Sequence, residues 1–214
     1  MKYLLIVFSI FTFIFSALSQ NSGYKYEPFG HASYYEQGYY YTHTGEKISG
    51  LIKWECSAYS SDLGANFILF KTAPEEKKQK LTTKDVKAFV IGKDSFAIIK
   101  SFSRSELIHY SRDFARVVVT GYMTLYSHCQ EVHAGNGRVM SSTGIECFYY
   151  IKKDNALYRF KRGDFKSRAN FIFGDNKELM NKITQKELGF NDIEQIIAEY
   201  NAWYEKNAAA KGSE

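Results

Sequence analysis

The chain has 214 residues, with 28 Lys plus Arg against 23 Asp plus Glu for a formal net charge of +5; 24% of residues are charged and 45% hydrophobic. These proportions belong to a globular chain and exclude a collagen-like, coiled-coil or largely disordered one. The length supplies core enough that a stapled mini-protein framework is not required. With 17 Tyr, 17 Phe and only 2 Pro, the composition favours strands.

Residues 1–19 hold a single charge, Lys2, then an apolar run from Tyr3 to Phe15 and small residues at Ala17 and Ser19. This is the layout of a secretory signal peptide cleaved between Ser19 and Gln20. An uncleaved anchor is the alternative, but the run is shorter than the roughly 20 residues that a spanning helix needs. The mature body is therefore expected to be exported, periplasmic or extracellular, with no transmembrane segment and at most a peripheral membrane attachment. Export permits disulfides among Cys56, Cys129 and Cys147, although three is an odd number. Cys129 and Cys147 lie at similar distances from a loop containing Gly135, Asn136 and Gly137, as facing residues of a hairpin would. That pair is the expected bridge; three reduced thiols are the other reading.

Residues 20–38, rich in Tyr, Gly and Ser, read as an extended lead-in. Tyr39 to Thr42 and Lys47 to Trp54 then form a hairpin across Thr44, Gly45 and Glu46. Asn66 to Lys71 is a further strand, and the mixed charges of Thr72 to Lys84 read as a solvated loop. Val86 to Ile91 and Phe96 to Phe102 make a second hairpin. Phe114 to Tyr126 is the longest strand, with Ile145 to Lys152 as its partner, and Leu157 to Lys161 extends the meander. In that last strand Tyr158 and Phe160 share one face while Leu157, Arg159 and Lys161 share the other. Beyond Gly163 the period becomes helical. Asp175 with Glu178 marks one helix start, over Leu179, Met180 and Ile183. Asn191 with Glu194 marks another, over Ile193, Ile196, Ile197, Tyr200, Trp203 and Tyr204. The expected fold is α+β: a bent antiparallel sheet or half-barrel meander followed by C-terminal helices packed on it. One domain spans 39–206, β-rich over 39–161 and helical over 164–206, with a flexible tail at 207–214.

Several of these residues resemble a family of secreted or periplasmic proteins common in Bacteroidota that has no assigned activity. The resemblance rests on Phe114, Val118, Gly121, Leu125 and Tyr126 in the long strand and on Tyr149, Tyr150 and Lys152 in its neighbour. It continues through Phe173, Asp175, Leu179 and Ile183 to Ile197, Tyr200 and Asn201, covering roughly residues 39–205. Members of the family often carry Cys and Pro after the aspartate. Asn176 and Lys177 stand there in this chain, so no role for that cysteine carries over. The resemblance implies export and an envelope setting, and names no active site.

Candidate sites are few. His128, Cys129, Glu131 and His133 hold metal-ligand chemistry, but no second ligand cluster accompanies them, and a loop beside a disulfide accounts for the same residues. No cofactor or metal is therefore expected. The segment from His43 to Lys47 reads as a hairpin turn, and Gly163 with Asp164 as a helix cap. From Lys152 to Arg168, seven basic residues face two acidic ones among Tyr158, Phe160 and Phe165. Export argues against nucleic acid as their partner and for an anionic glycan, a lipid headgroup or an acidic protein. A solvated hairpin with its aromatics turned inward is the bland alternative. Tyr34, Tyr35, Tyr39, Tyr40 and Tyr41 offer flat faces and hydroxyls to a partner, though alternation would turn half of them into the core. The surface proposed for an envelope protein or glycan is thus Tyr34, Tyr35, Tyr39, Tyr41, Lys152, Arg159 and Arg162.

Enzyme signatures are absent: there is no nucleophile elbow, phosphate-cradling Gly loop or zinc-protease helix, and so no catalytic residue to name. The reading is a non-catalytic envelope protein acting in binding or assembly. Its rival is a hydrolase of envelope or extracellular polymers whose site assembles only in three dimensions. Convergence among His31, His43, His109, His128 and His133 would favour that rival.

Overall fold

The computed structural model describes residues 34–54, 67–103, 109–135 and 140–211. Their ten strands form one antiparallel sheet. These are β1 (Glu36–Thr42), β2 (Lys47–Lys53), β3 (Phe67–Lys71), β4 (Gln79–Thr82), β5 (Val86–Ile91), β6 (Asp94–Ser103), β7 (His109–Val119), β8 (Met123–Gly135), β9 (Met140–Lys153) and β10 (Ala156–Phe160). Helices α1 (Phe165–Phe173), α2 (Lys177–Thr184) and α3 (Ile193–Lys211) follow, with a 3-10 turn at Phe190–Asp192 before the last. The strand order β10-β9-β8-β7-β6-β5-β1-β2-β3-β4 is two meanders joined where β1 pairs with β5. A curled antiparallel half-barrel with helices packed after the strands is what the sequence led us to expect in outline.

The sheet curls twice. Thr82 ends β4 and Val86 begins β5, so three residues connect strands that stand four places apart in the sheet. Those residues reach about 14 Å at most, less than the roughly 19 Å that four flat strand spacings would need. Strands β1–β5 must therefore roll up. Trp54, just past β2, accordingly meets Phe96 of β6 with ring centroids 4.6 Å apart. The interior of this roll is apolar: Ile52, Ile68, Phe70, Phe89, Phe96 and Phe114 are all buried.

Strands β6–β10 roll toward the opposite face of the sheet. Phe102 on β6 and Tyr150 on β9 stand three places apart, about 14 Å in a flat sheet, yet their rings lie 5.2 Å apart. Simple alternation would put Ile99 and Phe102 on opposite faces. Ser101 takes a left-handed φ of 51°, which shifts the phase and brings both into one cluster with Ala115, Tyr126 and Tyr150. The other face of β8–β10 presents Leu125, Ile151 and Phe160 to the helices, where the α3 stripe of Ile193, Ile196, Ile197 and Tyr200 is buried against them.

Local expectations met mixed outcomes. Cys129 faces Cys147 in the β8–β9 register and is bridged to it. The stretch Thr72 to Lys84 is not all loop, because Gln79–Thr82 pairs with β3 as a short edge strand whose polar residues stay in solvent. Phe114 to Tyr126 is not one strand. It breaks between Val119 and Met123, where Gly121 has a φ of 154° and a Cβ would collide with the Asn201 amide. Asn201 fills that notch, donating to Thr120 O and Met123 O and accepting the Met123 N–H.

The helix starts also move. Asn176, not Asp175, caps α2 by accepting from Leu179 N, while Asp175 accepts from the buried Tyr200 hydroxyl at 2.6 Å. Burial first, and that hydrogen bond second, push the Tyr200 hydroxyl far above the usual tyrosine range. Asn191 is diverted to Arg162, and Asp192 instead accepts the Gly189 N–H before α3. Asp164 stands at the start of α1 with no side-chain capping bond; its carboxylate lies 3.5 Å from Arg168 Nε. Helix α3 continues to Lys211, into the stretch set apart as tail.

Candidate functional site

Curling brings β10 back toward β6 without pairing to it, and two adjoining cavities occupy the seam. One, of about 560 Å³, is lined by residues that include His43, Lys87, Ile99, Lys100, Tyr126, Lys152 and Leu157. The other, of about 450 Å³, shares Leu157 and is lined by residues that include Ser101, Phe102, His109, Tyr150, Arg159, Lys161 and Arg168. Together they form a trough with an apolar and aromatic floor and cationic walls. No Asp or Glu is among the described residues that line it. Of its cations Arg168 has a carboxylate neighbour, Asp164 at the start of its own helix, 3.5 Å away.

Alternation along β9 and β10 explains how the walls arise. Tyr158 and Phe160 differ in face from Leu157 and Arg159, and Phe160 is buried under the helices. Arg159 is thereby turned into the roll, where its guanidinium lies 4.5 Å from the Phe148 ring centroid. Its Nε is buried and lacks a hydrogen-bond partner. Stacking of this kind fixes the planar group and leaves its N–H fork available for an acceptor.

Under the floor lies a buried hydrogen-bonded pair of His128 and Asp113. His128 Nε2 is 3.0 Å from Asp113 Oδ2, and both side chains are 2% exposed. Asp113 Oδ1 accepts the Phe114 N–H at 2.8 Å. The His128 Nδ1 atom has no hydrogen-bond partner, and the imidazole ring lies among the rings of Phe102, Tyr110 and Tyr150 at centroid distances of 5.0, 5.6 and 6.4 Å. Phe102 and Tyr150 are also floor residues of the trough, so this pair supports the floor from below.

The expected surface residues divide. Lys152 and Arg159 meet in the trough. Arg162 does not join them: it stacks 5.0 Å over Phe190 and donates to Asn191 Oδ1. Tyr39 and Tyr41 pack edge to face at 5.6 Å on β1, with Lys47 3.8 Å over the Tyr39 ring, while Tyr40 is core. Lys71 lies 5.2 Å over Tyr35, and Tyr34 is 58% exposed. None of these tyrosines is among the trough residues.

Among the described residues no metal cluster assembles. Cys129 is consumed by its disulfide, His128 turns to Asp113, and no group of potential metal ligands forms among the described residues. The side chains of Glu131 and His133, like His31 and Cys56, lie outside the described residues. His43 and His109 both reach the trough. Sequence reasoning missed Lys87 and Lys100, which come from β5 and β6; only the curl unites them with the basic run of β9 and β10.

Among the described residues no helix is long and apolar enough to cross a membrane. No protein-family model, no curated protein and no solved structure matches this chain.

Proposed function

We propose that this protein is an exported, non-catalytic envelope component that binds an extended polyanion in the trough between β6 and β10. One observation carries the reading: Lys87, Lys100, Lys152, Arg159, Lys161 and Arg168 converge on a single trough whose described lining holds no carboxylate. The cations are spread out, not focused. Lys152 stands opposite Leu157, and Lys161 lies four residues further on, about 13 Å along a strand. That spacing suits repeated negative charges better than a single phosphate. The leader of residues 1–19 and the Cys129–Cys147 bridge support export. Membership of the secreted Bacteroidota family belongs to the same proposal.

Titration with a sulfated dextran oligomer and with neutral dextran of the same length tests the binding. The sulfated oligomer is expected to bind, and to weaken steeply as salt rises. Equal affinity for neutral dextran, or no dependence on salt, would overturn the reading. Mass analysis of the native protein is expected to find Gln20 at its N-terminus; a native chain starting at Met1 would remove the export part.

A second reading, a hydrolase with a dispersed site, has one observation in its favour. Ser103 Oγ lies 2.7 Å from His109 Nδ1 at the rim of the trough. Labelling by a fluorophosphonate that disappears in Ser103→Ala would establish it. An unlabelled wild-type protein would leave binding alone.

A further inference from the structure

We propose that the occupant of the trough is an extended acidic polypeptide segment of a partner protein, added as a strand along the open edge of β6. The inference rests on the polyanion reading and names the ligand class within it.

Two open strand edges border the seam. β6 pairs with β7 from Ser95 to Ser103, but its pairing with β5 on the other side stops at Ala97. Residues 98–103 thus have no strand neighbour on that side among the described residues. β10 is the last strand of the sheet, so among the described residues its edge away from β9 is equally unpaired. These edges line the cavities. Residues 97–103 of β6 and 157–159 of β10 contribute consecutively. Side chains alternate between the two faces of a strand, so a cavity touched by consecutive residues touches the strand's edge and its backbone.

Backbone N–H and C=O groups on an open edge are strong hydrogen-bonding groups and a template for strand addition. A peptide offers both donors and acceptors at the repeat of such an edge; a polysaccharide offers no ladder in register. Charge selects the kind of peptide. Lys100, Lys152 and Lys161 are exposed around the seam, and the buried Arg159 Nε is a donor without an acceptor. Carboxylates on the added strand would supply one.

The test uses the mature full-length chain and a peptide of about ten residues alternating Glu and Thr, the span of one long strand. A copy N-methylated at alternate residues keeps the charge and loses the N–H groups of one edge. The unmodified peptide is expected to bind at least about tenfold more tightly than the methylated copy. It should also protect the amides of residues 98–103 from hydrogen exchange. Equal binding of the two peptides, or binding of the sulfated dextran oligomer with no binding of the peptide, overturns strand addition and leaves the polyanion trough standing. Binding of neither peptide nor sulfated dextran removes both.

Discussion

The two rolls of this sheet differ in what closes them. In β1–β5 the chain itself makes the closure, through the short turn from Thr82 to Val86, and aromatic rings fill the inside: Phe89 stacks on Phe96 at 4.5 Å and meets Phe114 edge to face at 5.0 Å. In β6–β10 no turn joins the two bordering strands, and the interior holds Asp113, His128 and Arg159 beside its aromatics. Both are built from antiparallel strands with aromatic and β-branched residues. A short connection with apolar filling yields a sealed core; open edges with polar filling yield a trough.

The largest test of that contrast is the His128–Asp113 pair under the trough floor. Asp113→Ala strands a buried histidine and is expected to destabilise the fold by about 3–5 kcal/mol in urea denaturation. Asp113→Leu combined with His128→Phe should recover most of this loss, since apolar filling of similar volume serves a buried site as well as charge does. A cost below about 1 kcal/mol for Asp113→Ala would mean that the second roll does not depend on its polar interior.

The disulfide comes next. Replacing both Cys129 and Cys147 by Ala opens a bridge with a sequence separation of 18 and should cost about 3 kcal/mol in the chain-entropy model. No loss on treating the wild type with reductant would show that the β8–β9 pairing holds without it. Asn201→Ala removes bonds to Thr120 O, Met123 N and Met123 O and should cost about 2 kcal/mol. Because Asn201 pins the β7–β8 turn from the helix side, polyanion affinity should not change; a parallel loss of binding would tie the notch to the trough.

The smallest effect lies at the closure of the first roll. Asp85 accepts from Thr82 N and Oγ1, both at 2.8 Å, and the backbone bond followed by the hydroxyl bond holds its carboxyl below the ordinary range. A folded pKa below the unfolded one gives stability that is present above the unfolded value and is lost as pH falls through the folded value. Asp85→Ala should therefore cost less than about 1 kcal/mol at neutral pH, since the site is exposed. In thermal melts the gap from wild type should close at acid pH; a gap that persists there would assign the effect to something other than the carboxylate.

Much of this architecture is legible locally. The Thr44-Gly45-Glu46 turn, the facing cysteines and the α3 stripe need only short-range patterns, and Gly45 does take a positive φ of 91°. The break at Gly121 is not legible, because its reason is Asn201, which approaches only once α3 has docked. The cap of α2 moved by one residue because Tyr200 claimed Asp175. Half of the trough was visible in the basic run, with the alternation that turns Arg159 inward. Lys87 and Lys100 were hidden, since their proximity depends on curl, and the left-handed Ser101 that sets the phase of Phe102 is one that nothing in its sequence announces.

Two charge reversals of equal size give the most direct test of whether the seam is the binding site. Lys152→Glu with Arg159→Glu alters the trough, while Lys77→Glu with Lys78→Glu changes net charge by the same amount on the exposed turn between β3 and β4. Calorimetric titration with the sulfated oligomer should show a loss of at least about thirtyfold for the first pair and a change within about twofold for the second. Equal losses would mean that the protein attracts polyanions through its overall charge, and that the seam is not a site.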